Sequence, residues 1–352
     1  MKFAVLTSGG DAPGMNACVR MFTKAAIARR HEVVGIRGGY EGLLDADVVP
    51  LTLTAVDGIS RHGGTMLGSA RSTRFPTDEG QALAASRLAE LGIDGLFVIG
   101  GNGSLTGAHV LSSHASCSVV GAPASIDNDV GYSRLSIGVD TAVNTIVEAC
   151  DRISDTARAH RRAFVVEVMG RHCGYLAMRA GIAADADAIL FAERQRSDAD
   201  TIAALKALLS RSFSAARDKK RVLIIKAEGV TLPTGELVAA LQAHLDAEVP
   251  GVGIRETILG HVVRGGNPSA TDRLIAQRLG GAAVFALEEG ATDQMLAWEA
   301  PSSVGTPTAD PSVRRIPLAE MLAETARMLD GTSPSTRARV ELLLTAEQLL
   351  AL

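Results

Sequence analysis

Two aspartates, Asp127 and Asp129, are the residues best suited to chemistry in this sequence of 352 residues. They lie in the segment 122–129, Ala-Pro-Ala-Ser-Ile-Asp-Asn-Asp, which follows a short apolar run. Because side chains at i and i+2 of an extended segment point the same way, we expect both carboxylates to face one site. One could take a proton from an acceptor hydroxyl and the other could hold Mg²⁺, which suits phosphoryl transfer. An Asx turn with solvated carboxylates is the alternative interpretation.

Two glycine-bearing loops indicate a place for phosphate beside these carboxylates. One is the segment 7–16, Thr-Ser-Gly-Gly-Asp-Ala-Pro-Gly-Met-Asn, and the other is 100–104, Gly-Gly-Asn-Gly-Ser. Each follows a predicted strand and opens a predicted helix, whose first N–H groups and dipole favour an anion. A tight turn that needs glycine explains either loop alone, but the repetition favours phosphate. The glycine spacing does not match a dinucleotide site, and there is no Gly-Lys-Ser/Thr triplet of a P-loop.

Basic residues between positions 162 and 264 could supply the positive charge that phosphate needs. Arginine suits this role because its guanidinium donates two parallel hydrogen bonds to phosphate oxygens. Any one of them alone is more typical of a surface salt bridge, although the glycines after Arg264 would allow close approach of a ligand. The candidates lie at or near glycine-containing turns or strand starts: Arg162, Arg171, Arg255, His261 and Arg264.

The elements that must position these residues alternate between strand and helix. This rhythm predicts an α/β fold with mostly parallel sheets and helices on both faces. In such sheets, ligands bind at the carboxyl ends of the strands. The predicted strands are 3–6, 32–36, 95–99, 118–120, 163–168 and 221–226. The predicted helices are 15–28, 81–91, 104–111, 141–156, 201–209, 318–329 and 340–350, and 301–310 is predicted to be a loop.

Composition narrows the classes of function. A net charge of −4 without a basic tail argues against nucleic-acid binding. No apolar run approaches the roughly 20 residues of a membrane span, and the apolar start is too short for a signal peptide. The four cysteines show no metal-ligand spacing, so we expect unpaired thiols in a reducing, cytoplasmic setting.

The ordered set of motifs resembles the large, glycolytic phosphofructokinase family. The resemblance runs from residue 1 to about residue 330, and it implies two Rossmann-like three-layer α/β/α domains. Residues 1–138 with about 265–310 would bind nucleotide, 139–264 with about 311–330 would bind sugar phosphate, and 331–352 would form a helical extension. The matching segments are 6–16 (LTSGGDAPGMN), 63–71 (GGTMLGSAR), 125–129 (SIDND), 165–171 (VVEVMGR), 259–261 (LGH) and 264–266 (RGG).

The resemblance also implies roles for individual residues. Asp127 would be the base for the sugar 1-hydroxyl, with Arg171 as a second catalytic residue, and Asn102 and Asp129 would lie at the magnesium site. Arg162 and Arg255 would reach the sugar phosphate from a neighbouring subunit of a homotetramer. The nucleotide would be bound by Gly10, Tyr40, Arg71, Gly101, Asn102, Gly103, Ser104 and Gly107. Fructose 6-phosphate would be bound by Ser125, Asp127, Asp129, Arg162, Met169, Gly170, Arg171, Glu228, Arg255, His261 and Arg264.

Two positions bear on the phosphoryl donor and on the metal. Pyrophosphate-dependent relatives resemble one another in having aspartate and lysine where this chain has Gly103 and Ala124, so we expect ATP to be the donor. ATP-dependent relatives typically have aspartate where Asn102 lies, and an amide is a poorer ligand for Mg²⁺. Three alternatives stay open: a pyrophosphate-dependent enzyme, a kinase for another ketose phosphate, and a non-catalytic paralogue that binds sugar phosphate.

Overall fold

The computed structural model describes residues 1–194 and 196–350, which form two compact units. Unit 1 consists of Met1–Thr141 and Arg264–Met328, and unit 2 consists of Ala142–Val263 and the chain from Leu329 onward. In chain order the elements are β1 (Lys2–Ser8), α1 (Met15–Ala28), β2 (Glu32–Ile36), α2 (Gly39–Leu44), β3 (Val48–Pro50), α3 (Asp78–Glu90), β4 (Gly95–Gly100), α4 (Asn102–His114), β5 (Ser118–Pro123), α5 (Val139–His160), β6 (Arg162–Val168), α6 (Tyr175–Ala183), β7 (Ala188–Leu190), α7 (Asp198–Ser212), β8 (Arg221–Ala227), α8 (Thr234–Glu248), β9 (Gly253–Ile258), α9 (Ala270–Glu288), β10 (Gln294–Trp298), β11 (Thr306–Pro307), β12 (Val313–Pro317), α10 (Leu318–Leu329) and α11 (Pro334–Leu350).

Unit 1 is built on an eight-stranded sheet in the order β11-β12-β10-β5-β4-β1-β2-β3. Its central strands pair in parallel, whereas β3, β12 and β11 pair antiparallel with their neighbours at the two sides. The central strands are continuous apolar runs because both faces are covered. On one face, Phe22 of α1 packs against Phe3 and Phe97. On the other face, residues of α2, α3, α4 and α10 form a second core cluster.

Unit 2 has a four-stranded, fully parallel sheet in the order β7-β8-β6-β9. One face carries a core of leucines from α7 and α8, which pack on alternate residues of the strands. Ile189 points to the other face, where it closes on Gly181 of α6. Helices therefore cover both faces of this sheet too.

The predicted α/β class with mostly parallel sheets is confirmed. The expected domain limits need a correction, because residues 311–328 belong to unit 1, where β12 pairs antiparallel with β10. Arg264 also belongs to unit 1. The predicted loop 301–310 contains the short strand β11. In the described part of the chain, every helix is too short or too polar to cross a membrane.

Asp272 is a buried carboxylate that joins α9 to the start of α5. Its oxygens accept hydrogen bonds from the backbone N–H of Gly138 at 2.9 Å and from the N–H and hydroxyl of Thr141 at 2.7 and 2.5 Å. It therefore satisfies N–H donors that the first turn of α5 cannot pair internally. The pKa of this carboxyl is raised, mainly by burial, although the same hydrogen bonds act to lower it.

We expect Asp272→Ala to lower the free energy of unfolding by about 2–4 kcal/mol, because it leaves buried N–H groups without an acceptor. Urea unfolding followed by circular dichroism measures this change. Asp78→Ala is the matched control, since Asp78 is an exposed carboxylate in the first turn of α3. Its loss should cost no more than about 1 kcal/mol. Equal losses for the two variants would show that Asp272 has no special structural role.

Candidate active site

A cavity of about 440 Å³ opens in unit 1 at the carboxyl ends of β1, β4 and β5. The three strands are neighbours, so the loops that follow them are brought to the same edge. The cavity combines the two glycine-bearing loops and the aspartate segment that the sequence singled out. Its lining residues are Ser8, Gly9, Gly10, Tyr40, Ala70, Arg71, Ser72, Phe75, Pro76, Gly101, Asn102, Gly103, Ser104, Ala124, Ser125, Asp127, Asp129 and Arg264.

Arg264 lies against the first glycine loop. A Cβ atom at Gly10 would be 2.7 Å from its Nη1, so a side chain there would displace the end of the guanidinium. The same Nη1 donates a weak hydrogen bond to the carbonyl oxygen of Asp11, at 3.4 Å. The structure thus places this cation among the residues expected to hold the nucleotide, although the resemblance groups Arg264 with the sugar-binding residues. An anion over the loop would meet a positive charge.

The second glycine loop runs directly into α4. Asn102 is the first residue of that helix and Gly101 precedes it, so the first N–H groups of α4 lie at the cavity. Gly103 is exposed, and within the described residues a Cβ atom added there would have no neighbour within 4 Å. This end of the helix therefore presents donors and open space, as a phosphate site requires.

Tyr40 packs against the first turns of this helix and holds them in place, and Gly107 leaves room for its ring. The Tyr40 hydroxyl donates to the backbone carbonyl of Ser104 at 2.7 Å, and burial raises the pKa of the phenol, which keeps it protonated. Its ring stacks on Phe75, with centroids 4.0 Å apart, and lies so close to Gly107 that a Cβ atom there would be 2.8 Å from the ring. Tyr40 lines the cavity, whereas Gly107 is buried under its ring.

Asp127 and Asp129 line the same cavity, as expected, but for a different reason. The sequence predicts an extended segment here, and this prediction is wrong. Residues 126–127 form a turn in which the N–H of Asn128 bonds to the carbonyl of Ser125 at 3.3 Å. Asp129 then accepts a hydrogen bond from the Ser125 hydroxyl at 2.8 Å. The turn, and not strand alternation, brings the two carboxylates to one side.

Asn128 holds this turn in place, although the sequence motif gave no reason to expect a role for it. Its φ of 52° lies in the left-handed region, which asparagine tolerates better than most residues. The side chain is fully buried, donates to the carbonyl of Arg134 at 3.1 Å and accepts from the N–H of Ser136 at 2.9 Å. The sequence feature that could have indicated this turn is an asparagine between two aspartates, because asparagine tolerates the left-handed conformation.

Asn16 plays a similar part for the segment that leads to Arg71. Its amide donates to the carbonyls of His62 and Gly63, both at 3.1 Å, and accepts from the N–H of Met66 at 2.7 Å. These bonds fix the glycine-rich segment before Arg71, which is exposed and reaches the cavity. Part of the first motif therefore shapes a neighbouring loop.

In unit 2, several expected sugar-phosphate residues meet at the carboxyl edge of the sheet. Met169, Gly170 and Arg171 follow β6, and Glu228 follows β8, with its N–H bonded to the carbonyl of Val168 at 2.9 Å. His261 lies in the turn that follows β9, on the same edge. Arg171, Glu228 and His261 are exposed and available to a ligand.

Arg162 and Arg255 do not join that edge. Arg162 is the first residue of β6, so six residues at about 3.3 Å each place it about 20 Å from the end of the strand. Arg255 lies in β9 opposite Phe164, also toward the amino-terminal side of the sheet, and its Nη1 donates to the carbonyl of Ile254. Within one chain, these two arginines are thus set apart from Met169, Gly170 and Arg171.

The comparisons with known proteins agree with this geometry. The family model described as Phosphofructokinase matches residues 2–287. The chain belongs to the phosphofructokinase family. A protein of Thermotoga petrophila, named ATP-dependent 6-phosphofructokinase, is 44% identical over 328 residues, covering 93% of this chain and 99% of its own. A Thermus thermophilus protein, named ATP-dependent 6-phosphofructokinase 1, is 45% identical over 297 residues, covering 84% and 88%.

Solved structures of the family have the same fold. The phosphofructokinase of Saccharomyces cerevisiae superposes with a TM-score of 0.84 at 34% identity and covers 97% of this chain, which spans 50% of the yeast chain. A pyrophosphate-dependent phosphofructokinase of Marinobacter aquaeolei gives a TM-score of 0.75 at 22% identity, which supports the fold alone.

Gly103 offers a test of whether the open space at α4 receives the nucleotide. Gly103→Asp should fold normally, because the position is open and an acidic residue is favourable in a first helical turn. A carboxylate about 5 Å from a phosphate would cost about 3 kcal/mol at an effective dielectric constant of about 20. We therefore expect the KM for ATP to rise by about 100-fold.

Gly103→Asn is the matched control, because the amide has the shape of the carboxylate without its charge. Steady-state kinetics at saturating sugar phosphate should show a much smaller rise for this variant. An unchanged KM for ATP in Gly103→Asp would mean that the nucleotide phosphates lie elsewhere.

Proposed function

We propose that this enzyme transfers the γ-phosphoryl group of ATP to the 1-hydroxyl of fructose 6-phosphate, giving fructose 1,6-bisphosphate and ADP. The observation that carries the proposal is the cavity in which Asp127 faces a helix start lined with glycine, in a chain 44% identical to an ATP-dependent 6-phosphofructokinase. In this reaction the sugar oxygen forms a bond to phosphorus, the bond to the ADP oxygen breaks, and Asp127 accepts the hydroxyl proton.

Residues of unit 1 would stabilise the negative charge that develops on the phosphoryl group during transfer. The N–H groups at the start of α4 are fixed donors, and such donors stabilise developing charge without reorganising. The guanidinium groups of Arg71 and Arg264 line the same cavity and would add positive charge. Gly10, Gly101 and Ser104 would complete the nucleotide phosphate site, and Ser125 would keep Asp129 in place through its hydroxyl.

The sugar phosphate would be bound by the residues at the carboxyl edge of the sheet in unit 2. Arg171 would bind the sugar phosphate and is the second proposed catalytic residue, while Met169, Gly170, Glu228 and His261 would orient the sugar. Arginine and histidine beside an exposed loop suit a dianionic ligand. Groups that bind the phosphate do not select for the length of the sugar. Another ketose phosphate is therefore the second candidate for the acceptor.

The cavity also fits a magnesium ion. Asp129 presents a carboxylate and Asn102 an amide to the same space, and oxygen ligands of this kind suit Mg²⁺. These two residues would hold the ion, which when bound neutralises charge on the nucleotide phosphates. Because Asn102 is neutral, Asp129 would carry most of the attraction, so the magnesium affinity should be weaker than with two carboxylates.

Arg162 and Arg255 support a proposal about assembly. Both lie away from the sugar-binding edge of their own unit 2, so they can serve a site only by reaching that of another copy. We infer a homotetramer in which sites are shared between subunits. The four cysteines are buried thiols, which supports a reducing, cytoplasmic location for this assembly.

The proposed function is tested by steady-state turnover with ATP or pyrophosphate as donor and with several sugar phosphates as acceptor. We expect the highest kcat/KM with ATP and fructose 6-phosphate. Turnover with pyrophosphate and none with ATP would overturn the choice of donor. Binding of fructose 6-phosphate without any turnover would favour the non-catalytic alternative that Asn102 raises.

Asn102→Asp tests the proposed metal position. We expect it to lower the magnesium concentration needed for half-maximal turnover and to raise the rate at limiting Mg²⁺ by roughly 10–1000-fold, the range of single electrostatic contributions. Asn102→Leu is the control, since it has a similar size but offers neither a charge nor an oxygen ligand, and it should not lower the magnesium requirement. An Asn102→Asp variant with an unaltered magnesium dependence would remove this residue from the metal site.

Shared sites are tested by mixing two inactive variants. Arg162→Ser removes the group that a chain lends to its neighbour, and Asp127→Ser removes the base that it keeps. If sites are shared, co-refolded or co-expressed mixtures should recover activity, because some sites then combine an intact Arg162 with an intact Asp127. Light scattering reports the assembly state of each sample. Mixtures of normal assembly that stay inactive would contradict shared sites.

A further inference from the structure

We propose that the C-terminal helix α11 positions the loop 169–174 and that Arg339 is its positioning residue. This inference rests on the proposed function, in which that loop binds the sugar phosphate. The family model ends at residue 287, so α11 lies outside the matched segment. All the contacts used below lie within unit 2.

In the part of α11 whose side chains the structure describes, up to residue 344, buried side chains lie along one face of the helix. Ser333 precedes it, is fully buried and accepts a hydrogen bond from the N–H of Ser335 at 3.0 Å, while Pro334 occupies the first helical position. Thr336 and Leu343 are 6% and 1% exposed and lie seven residues apart on the same face. Arg339, between them, is on this face as well. This face packs on α6 and β7.

Arg339 reaches from α11 to the end of the sugar-phosphate loop. Its guanidinium lies over the ring of Tyr175, 4.8 Å from the centroid, and its Nη1 is 3.9 Å from the sulfur of Cys173. These two residues flank Gly174, where the loop ends and α6 begins. The helix therefore contacts the chain two residues after Arg171.

The loop 169–174 is so tightly packed that a movement of residues 173–175 would also move the backbone at Arg171. Gly170 has a φ of 128°, and a Cβ atom there would lie 2.5 Å from the carbonyl oxygen of Cys173, so the loop closes on itself. Farther on, Glu193 accepts a hydrogen bond from the N–H of Gly174 at 2.7 Å. The Arg171 carbonyl packs directly on Gly229, beside Glu228. Loosening residues 173–175 would consequently release the backbone that carries Arg171.

The test compares Arg339→Ala with Arg337→Ala in the full chain. Arg337 is exposed on the same helix two residues away, so its loss removes the same side chain without touching the loop. For Arg339→Ala we expect the KM for fructose 6-phosphate to rise by about 3–30-fold, the equivalent of one cation–π contact. The KM for ATP should stay unchanged. Hydrogen exchange of the amides in residues 170–174 should become faster.

Arg337→Ala should match the wild type in all three measurements, and Arg339→Lys, which keeps a cation over Tyr175, should recover most of the affinity for the sugar phosphate. An unchanged KM for fructose 6-phosphate in Arg339→Ala would overturn the proposal. So would a parallel rise in both KM values with a lower melting temperature, which would mark a general loss of stability. Failure of the proposed function is recognised separately, because the wild-type chain would then show no turnover of this substrate pair.

Discussion

Parallel pairing of β1, β4 and β5 is the constraint on which the proposed catalytic centre depends. Ser8 is in register with Gly100, and Gly100 is in register with Pro123, so all three strands end at the same level. Neighbouring strands are about 4.8 Å apart, which brings the three following loops within about 10 Å of one another. The two glycine-bearing loops, the start of α4 and the two carboxylates thus share one cavity, although these segments extend over more than 100 residues of sequence. Shifting one strand by a residue would rotate its loop away from the others.

Hydrogen bonds from buried polar side chains hold these loops in shape. Thr7 donates to the carbonyl of Gly68, Asn16 holds the segment before Arg71, Tyr40 holds the start of α4, and Asn128 holds the aspartate turn. All four side chains are buried and bond to backbone, so we expect them to keep their positions whether or not a ligand is bound. A preorganised arrangement of donors is what electrostatic stabilisation of phosphoryl transfer requires.

Several helices and six strands could be predicted because apolar runs and helical periodicity are local signals; the six are β1, β2, β4, β5, β6 and β8. The long helix α9 was missed, since it is apolar on most sides and contains Gly280 and Gly281, which argue against a helix. The structure explains the first glycine: a Cβ atom at Gly280 would strike the backbone of Cys18 in α1. The amphipathic signal of α8 was also weak enough to be overlooked.

The residues of the site were easier to predict than their geometry. The types and order of the motifs identified Asp127 and Asp129, but the turn that joins them depends on the left-handed Asn128, which has no periodic signature. Likewise, no local pattern shows that Arg255 lies beside Phe164 of β6, or that residues 311–328 return to unit 1 through β12. Such facts depend on pairing between distant strands.

The measurement that tests the account most directly is single-turnover phosphoryl transfer by Asp127→Asn, which keeps the shape of the side chain and removes its basicity. For this variant we expect a fall of about 10²–10⁴-fold in the transfer rate, the usual contribution of a positioned base, with affinities for ATP and fructose 6-phosphate close to those of the wild type. Transfer at the wild-type rate in a correctly assembled variant would contradict it.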